Sequence, residues 1–138
     1  MKYLLDTNVL SDLRRGRPEV VAWTHQHSDD DFAISAVTLM EIERGIRLLE
    51  RRDPHQARPL RGWLEAQVIP EFDGRTLPVD GAVALCAAAL HVPDPMPSED
   101  AYIGATAITH RLTLVTRNVA DFARAGVATV DPFREGDA

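Results

Sequence analysis

Four carboxylates stand where a parallel sheet could gather them. Asp6 ends the apolar run Tyr3-Leu4-Leu5 in KYLLDTNVLSDL, and a helical pattern begins within two residues of it. Glu41 lies in the helical stretch after a second apolar run, Phe32-Ala33-Ile34. Asp100 falls in the first turn of a helix behind a proline-rich loop, and Asp121 follows a later strand in TRNVADF. Each is just past a strand end or at a helix start, and an open α/β sheet collects such positions along one edge. Converging carboxylates suit hard divalent cations such as Mg2+ or Mn2+, which take oxygen ligands and keep waters. A cation so held polarises a phosphodiester and neutralises the departing oxygen. Without one, the acids repel or share protons. With 21 acids among 138 residues, spacing by itself carries little weight.

Each acid also has an ordinary structural reading. Asp6 fits as the cap of the helix that follows, and one carboxylate can both cap and ligate. An acid such as Asp100 is favourable in any first helical turn. Ser98 is expected to cap that helix, which leaves Asp100 free. Asp121 also reads as an Asx-turn residue before Phe122. Glu41 is the most informative, because Met40 and Ile42 place part of its turn inside, where a carboxylate needs a partner. Glu43 reads as a solvated acid, Asp80 as a cap and Asp29-Asp30-Asp31 as a polar turn. The histidines show no ligand spacing, so His-based chemistry is disfavoured. Arg14, Arg15, Arg17, Arg44 and Arg47 could hold phosphates or be plain surface charge, and both readings stay open.

Rival chemistries fit less well. A phosphoaspartyl site on Asp6 would need a Lys beside the phosphoryl group. Lys2 is the only Lys, and it lies upstream in the first strand. The phosphatase version wants a second Asp two residues on, where this chain has Asn8. A binding module for phosphates would not keep uncompensated acids in its cleft.

The elements that must position these residues alternate. Strands are expected at 3–5, 32–34, 76–79, 113–116 and 127–130. Helices are expected at 8–15, 19–26, 35–51, 54–68, 80–90 and 98–110, with a turn or one-turn helix at 117–122 and a tail from Asp131. The two helices at 35–51 and 54–68 read as a hairpin. Short strands alternating with helices imply parallel strands and right-handed crossovers. The fold class is therefore α/β, a three-layer α/β/α sandwich with a central parallel sheet, in one domain over 1–138.

Bulk properties agree. A hydrophobic fraction of 45% supports a core, and no apolar run is long enough to span a membrane. The chain enters its first strand at once, with no signal peptide expected. The lone Cys86 excludes an intrachain disulfide and fits a buried thiol in a cytoplasmic protein. The net charge of -6 argues against a purely electrostatic nucleic-acid binder. It is compatible with a nuclease whose acids await a cation.

Three blocks, YLLDTNVL, SAVTLMEIERGI and PSEDAYIGATAITHRLTLVTRNVADF, together resemble a PIN domain, most closely the toxin ribonucleases of VapC and FitB type. The resemblance covers nearly the whole chain, in the family's order. It implies Mg2+- or Mn2+-dependent cleavage of RNA by the toxin of a type II toxin–antitoxin module. It implies that Asp6, Glu41, Asp100 and Asp121 form the acidic quartet, flanked by Asn8, Thr116 and Asn118. It further implies an antitoxin that blocks the acidic site, RNA as substrate, and a homodimer. The alternative function is a PIN-fold nucleic-acid-binding regulator acting mainly as a complex with its antitoxin.

Overall fold

A computed structural model describes residues 1–135. Five short strands form one wholly parallel sheet: β1 (Tyr3–Leu5), β2 (Phe32–Ser35), β3 (Thr76–Leu77), β4 (Thr113–Val115) and β5 (Thr129–Val130). Their order is β3-β2-β1-β4-β5, so β1 is central. Leu4 pairs with Ala33 on one side and Leu114 on the other. The chain leaves β1 towards β2 and later returns to β4 on β1's opposite side. This makes the carboxyl end of β1 the topological switch point, where open parallel sheets leave a crevice.

Helices cover both faces, as the apolar strand sequences require. They are α1 (Thr7–Arg14), α2 (Pro18–His25), α3 (Ala36–Arg52), α4 (Pro54–Trp63), α5 (Ile69–Glu71), α6 (Gly81–Leu90), α7 (Ser98–Thr109), α8 (Val119–Arg124) and α9 (Pro132–Glu135). Alternate strand residues serve alternate faces. Leu5, Ile34 and Val115 pack with Val9, Val20, Trp23, Ile46 and Leu64. Leu4, Ala33 and Leu114 pack with Ile103, Ala107, Phe122 and Val127 on the other side. The Ala-rich α6 lies against α7 through Val83, Ala87, Ala101 and Ala105, where small side chains permit close approach. The α/β/α sandwich with a central parallel sheet is therefore as expected.

Several local expectations need correction. The helix beginning at Pro54 does not stop at Val68. One wide turn at Leu64–Val68, with Ile69 N–H donating to Leu64 O, carries it into α5. Pro70 has no N–H to continue the ordinary ladder, and the wider turn precedes it. β3 is shorter than expected, because Pro78 cannot extend the ladder. The expected tail instead forms α9 as far as Glu135, and residues 136–138 lie outside the described residues. Ser98 does not cap α7; Pro97 holds the cap position, and no side-chain cap bond forms. Asp80 does cap α6, accepting from Val83 N–H at 3.0 Å. Cys86 is half-buried rather than buried. Among the described residues, no helix is long and apolar enough to cross a membrane.

Glu43 is also not the solvated acid expected. It pairs with Arg61 of α4 at 2.7 Å and with Arg47 at 3.3 Å. Arg61 also reaches Glu50 at 2.9 Å, so one guanidinium clasps the α3–α4 hairpin. Bidentate geometry of this kind is where arginine outperforms lysine.

Candidate active site

The sheet topology fixes Asp6 first. Its N–H donates to Val115 O at 2.9 Å, which ties the end of β1 to the end of β4. The Asp6 side chain is buried, at 5% exposure. Oδ1 accepts from Thr7 N–H at 2.8 Å, so Asp6 caps α1. Oδ2 accepts from the Thr116 hydroxyl at 2.8 Å and from Asn8 Nδ2 at 3.4 Å. Capping uses one oxygen and leaves the other to Thr116 and Asn8.

Thr116 is fully buried just beyond β4. Its Oγ1 donates to Asp6 and accepts from Asn118 N–H at 3.0 Å and Asn8 Nδ2 at 3.5 Å. Asn8 Oδ1 accepts from Arg117 N–H at 3.4 Å. Asn8 and Thr116 thus join β1, α1 and the β4–α8 loop in one network. Asn118 enters it through its backbone; no side-chain cap bond from Asn118 forms at α8.

Glu41 sits on α3 and is half-buried, with Ile42 inside and Met40 exposed at 42%. Only one of the two apolar neighbours therefore faces the interior. Thr7 Oγ1 donates to Glu41 Oε1 at 2.7 Å and lies 3.1 Å from the Thr38 hydroxyl. Thr7 thereby links α1 to α3, immediately beside Asp6.

Electrostatics shows which acids share a field. Burial raises the Asp6 carboxyl from 3.8 to about 6, against the Thr116 and Thr7 bonds that lower it; Asp100 and Glu41 raise it further. Glu41 is raised by burial, opposed by the Thr7 hydroxyl, with Asp100 and Glu99 adding repulsion. Asp100 is raised by burial, then by Glu99 and Asp121. Asp6, Glu41 and Asp100 thus lie within electrostatic reach of one another.

Asp121 is placed differently. It is exposed on α8, and its Oδ1 takes Arg124 Nη2 at 2.6 Å. It borders the same crevice as Asp100, a cavity of about 270 Å³ roofed by Pro93, Pro95 and Pro97. Among the described residues, no three acids or histidines come close enough to form a ready-made metal cage. The donor set is nonetheless all oxygen, partly buried and mutually repelling. Mg2+ commonly binds one or two carboxylates and keeps its waters, so this set fits such an ion.

The arginines are mostly engaged. Arg44 pairs with Glu99 at 2.7 Å, Arg47 with Glu43, and Arg14 stacks 5.8 Å from the Trp63 ring centroid. Sequence reasoning missed Thr7, Thr38 and Asp12. Asp12 is fully buried, with Arg117 Nε 2.9 Å and Arg17 Nε 3.9 Å from its carboxylate. The available signal was periodicity: Asp12 lies one helical turn from Asn8, among the inward residues Val9 and Leu10.

A family model for the PIN domain matches residues 3–128. The chain belongs to the PIN domain family. This PIN domain is 36% identical to Toxin FitB of Neisseria gonorrhoeae, over 96% of this chain and 99% of that protein. It is 32% identical to the VapC ribonuclease Y4jK of Sinorhizobium fredii, over 94% and 96%. The crystal structure of FitAcB from Neisseria gonorrhoeae superposes with a TM-score of 0.85 at 36% identity, covering 95% of this chain and 98% of that one. A toxin–antitoxin complex from Klebsiella pneumoniae gives 0.69 at 31% identity, covering 95% and 98%. This PIN domain is thus of the VapC/FitB toxin type.

Proposed function

We propose that this PIN domain is a divalent-cation-dependent endoribonuclease, the toxin of a type II toxin–antitoxin module. The observation that carries the reading is Asp6, a buried carboxylate at the switch point whose charged neighbours are two further acids. A cation is the partner such a set lacks. Asp6, Glu41 and Asp100 would hold it, with Asp121 completing the set on the Asp100 side. Mg2+, or Mn2+ in its place, supplies Lewis-acid charge for phosphodiester hydrolysis.

The chain's own residues do the positioning. Thr116 and Thr7 N–H hold the two Asp6 oxygens in fixed directions, and Asn8 keeps Thr116 in place. The Thr7 hydroxyl aims Glu41 at the same edge. Asp100, raised by burial and then by Glu99 and Asp121, has its charged form favoured when positive charge arrives. Carboxylates held in fixed directions in this way lower the reorganisation needed at the reacting phosphate. No side-chain nucleophile is needed: water attacks the phosphorus in line, its new P–O bond forming as the opposite P–O ester bond breaks, and the proton that water loses is matched by the one that the departing oxygen takes up from solvent.

The partner reading rests on relatives. The Klebsiella protein is a member of a toxin–antitoxin complex, and Y4jK is named a VapC ribonuclease. By analogy the antitoxin would cover the acidic edge, where an inserted cationic side chain would compete with cation and substrate. A homodimer and a cytoplasmic location complete the proposal.

The test uses purified protein on structured RNA, with Mg2+ or Mn2+ and with EDTA. Cleavage should require the cation and disappear in Asp6→Ala and Asp100→Ala. Cleavage that persists in EDTA, or survives loss of both acids, would overturn the cation-dependent reading.

A further inference from the structure

We propose that Asp12 is a positioning residue, holding the Thr116–Asn118 loop against α1 through Arg117 and so setting the direction of Asp6. The inference rests on the reading of Asp6 as a working carboxylate. Asp12 is a charged side chain with no exposure, in the middle of an eight-residue helix. Burying a carboxylate is costly unless it is paired. Two guanidiniums pair with it, the closer from the loop: Arg117 Nε stands 2.9 Å from Oδ2, and Arg17 Nε lies 3.9 Å from Oδ1. Among the described residues, neither oxygen accepts a well-aligned hydrogen bond. The contact with Arg117 is therefore ionic, and Arg117 is the nearer of the two counter-charges that make the burial tolerable.

Arg117 is the residue after Thr116, and α1 grips it twice. Its N–H donates to Asn8 Oδ1 at 3.4 Å, a long bond that would not hold the loop alone. One turn later along α1, Asp12 takes its side chain. The loop's other links lead straight to the site. Thr116 Oγ1 accepts from Asn118 N–H and donates to Asp6 Oδ2. Thr116 N–H donates to Val130 O at 3.0 Å, which fixes its backbone to β5 but leaves the Arg117 side to α1. A shift of Arg117 therefore reaches Asp6 through one covalent neighbour and one hydrogen bond. The guanidinium is about half exposed, so its fixed place is not set by packing alone.

The rival role for Arg117 is direct contact with an RNA phosphate. The two roles separate in the kinetics: positioning acts on kcat, and phosphate contact acts on KM. The experiment compares wild type, Asp12→Asn and Asp12→Glu by amide hydrogen exchange and by RNA cleavage. In Asp12→Asn, exchange at residues 116–118 should rise about tenfold while α7 is unchanged. The kcat should fall about tenfold or more, with KM held within about twofold. Asp12→Glu keeps the charge and should recover both readouts. If Asp12→Asn does not fold, the paired variant Asp12→Asn with Arg117→Gln, which removes the nearer guanidinium together with the buried carboxylate, is read by exchange at 116–118 and by kcat. Unchanged exchange at 116–118 in a folded variant would overturn the proposal. So would a rise in KM with kcat intact. A wild type that cleaves no RNA would overturn the ribonuclease reading instead, and exchange at 116–118 would still decide this one.

Discussion

Asp6 carries a stability cost that its proposed role as a cation ligand explains. Burial holds its carboxyl at about 6 against an ordinary 3.8. The folded chain therefore binds that proton more tightly than the unfolded chain does. As pH rises from about 4 to about 6, the unfolded state ionises first, and stability falls through that window. Below it the penalty is absent, and above it the penalty is complete. Asp6→Asn removes the titration and keeps a good cap. In EDTA at neutral pH it should be more stable than wild type by up to about 2–3 kcal/mol, with the gain vanishing below about pH 4. Urea unfolding across pH checks this; a less stable Asp6→Asn at pH 7 would mean that the bonds to Thr116 and Thr7 outweigh burial. Thr116→Val tests the opposite influence. It deletes the O–H that favours the Asp6 anion, so the carboxyl should move higher still. RNA cleavage should fall, with the acid limb of its pH profile displaced to higher pH. An unmoved limb would detach that limb from Asp6.

The elements were largely legible because apolar runs and helical periods are local. Tyr3–Leu5, Phe32–Ser35 and Thr113–Val115 are apolar on both faces, which is the signature of buried parallel strands. Some misreadings arose where a distant contact decides. Glu43 looks solvated until α4 brings Arg61 to it; the Ser98 misreading is local, because the helix starts one residue earlier, with Pro97 at the cap. Asp12 drew no reading, because its nearer partner, Arg117, lies 105 residues along the chain. Helix α7 shows how tightly these elements then fit. A Cβ on Gly104 would meet Val127 Cγ2 at 3.2 Å, Leu90 Cδ1 at 3.3 Å and Phe122 Cδ1 at 3.4 Å. Gly104→Ala gains about 1 kcal/mol of helix propensity, which offsets that tightness and leaves stability near wild type. Gly104→Val adds two methyls with no space for them and should cost about 1–3 kcal/mol. Thermal unfolding of both variants checks the contrast; equal stability would mean that Leu90 and Val127 yield freely.

At the scale of the whole molecule, the sequence contained the acids but not their arrangement. Strand order is a property of pairing, and nothing local to Tyr3–Leu5 says that β2 and β4 will flank it. That order alone turns Asp6 from a helix cap into the acid at the switch point, with Glu41 and Asp100 in its field. Asp121 stands at the margin for a local reason, since Arg124, three residues on in the same helix, takes its carboxylate. The site therefore concentrates negative charge in a chain already at -6. Any ion that binds only the folded arrangement must raise stability by mass action, by about 2.7 kcal/mol at one hundred times its dissociation constant. Mg2+ or Mn2+ should thus raise the melting temperature of the wild type at constant ionic strength. The ionic strength is matched with NaCl, so that general screening of the net charge is equal in both arms. Asp6→Asn, already relieved of its buried charge, should begin higher in EDTA and gain little from either cation. The two melting curves should therefore converge as cation is added. Ca2+ serves as a control for size, being larger and less demanding in geometry. Equal gains in wild type and Asp6→Asn would place the ion elsewhere on the acidic surface, and no gain in either would remove the cation from the site.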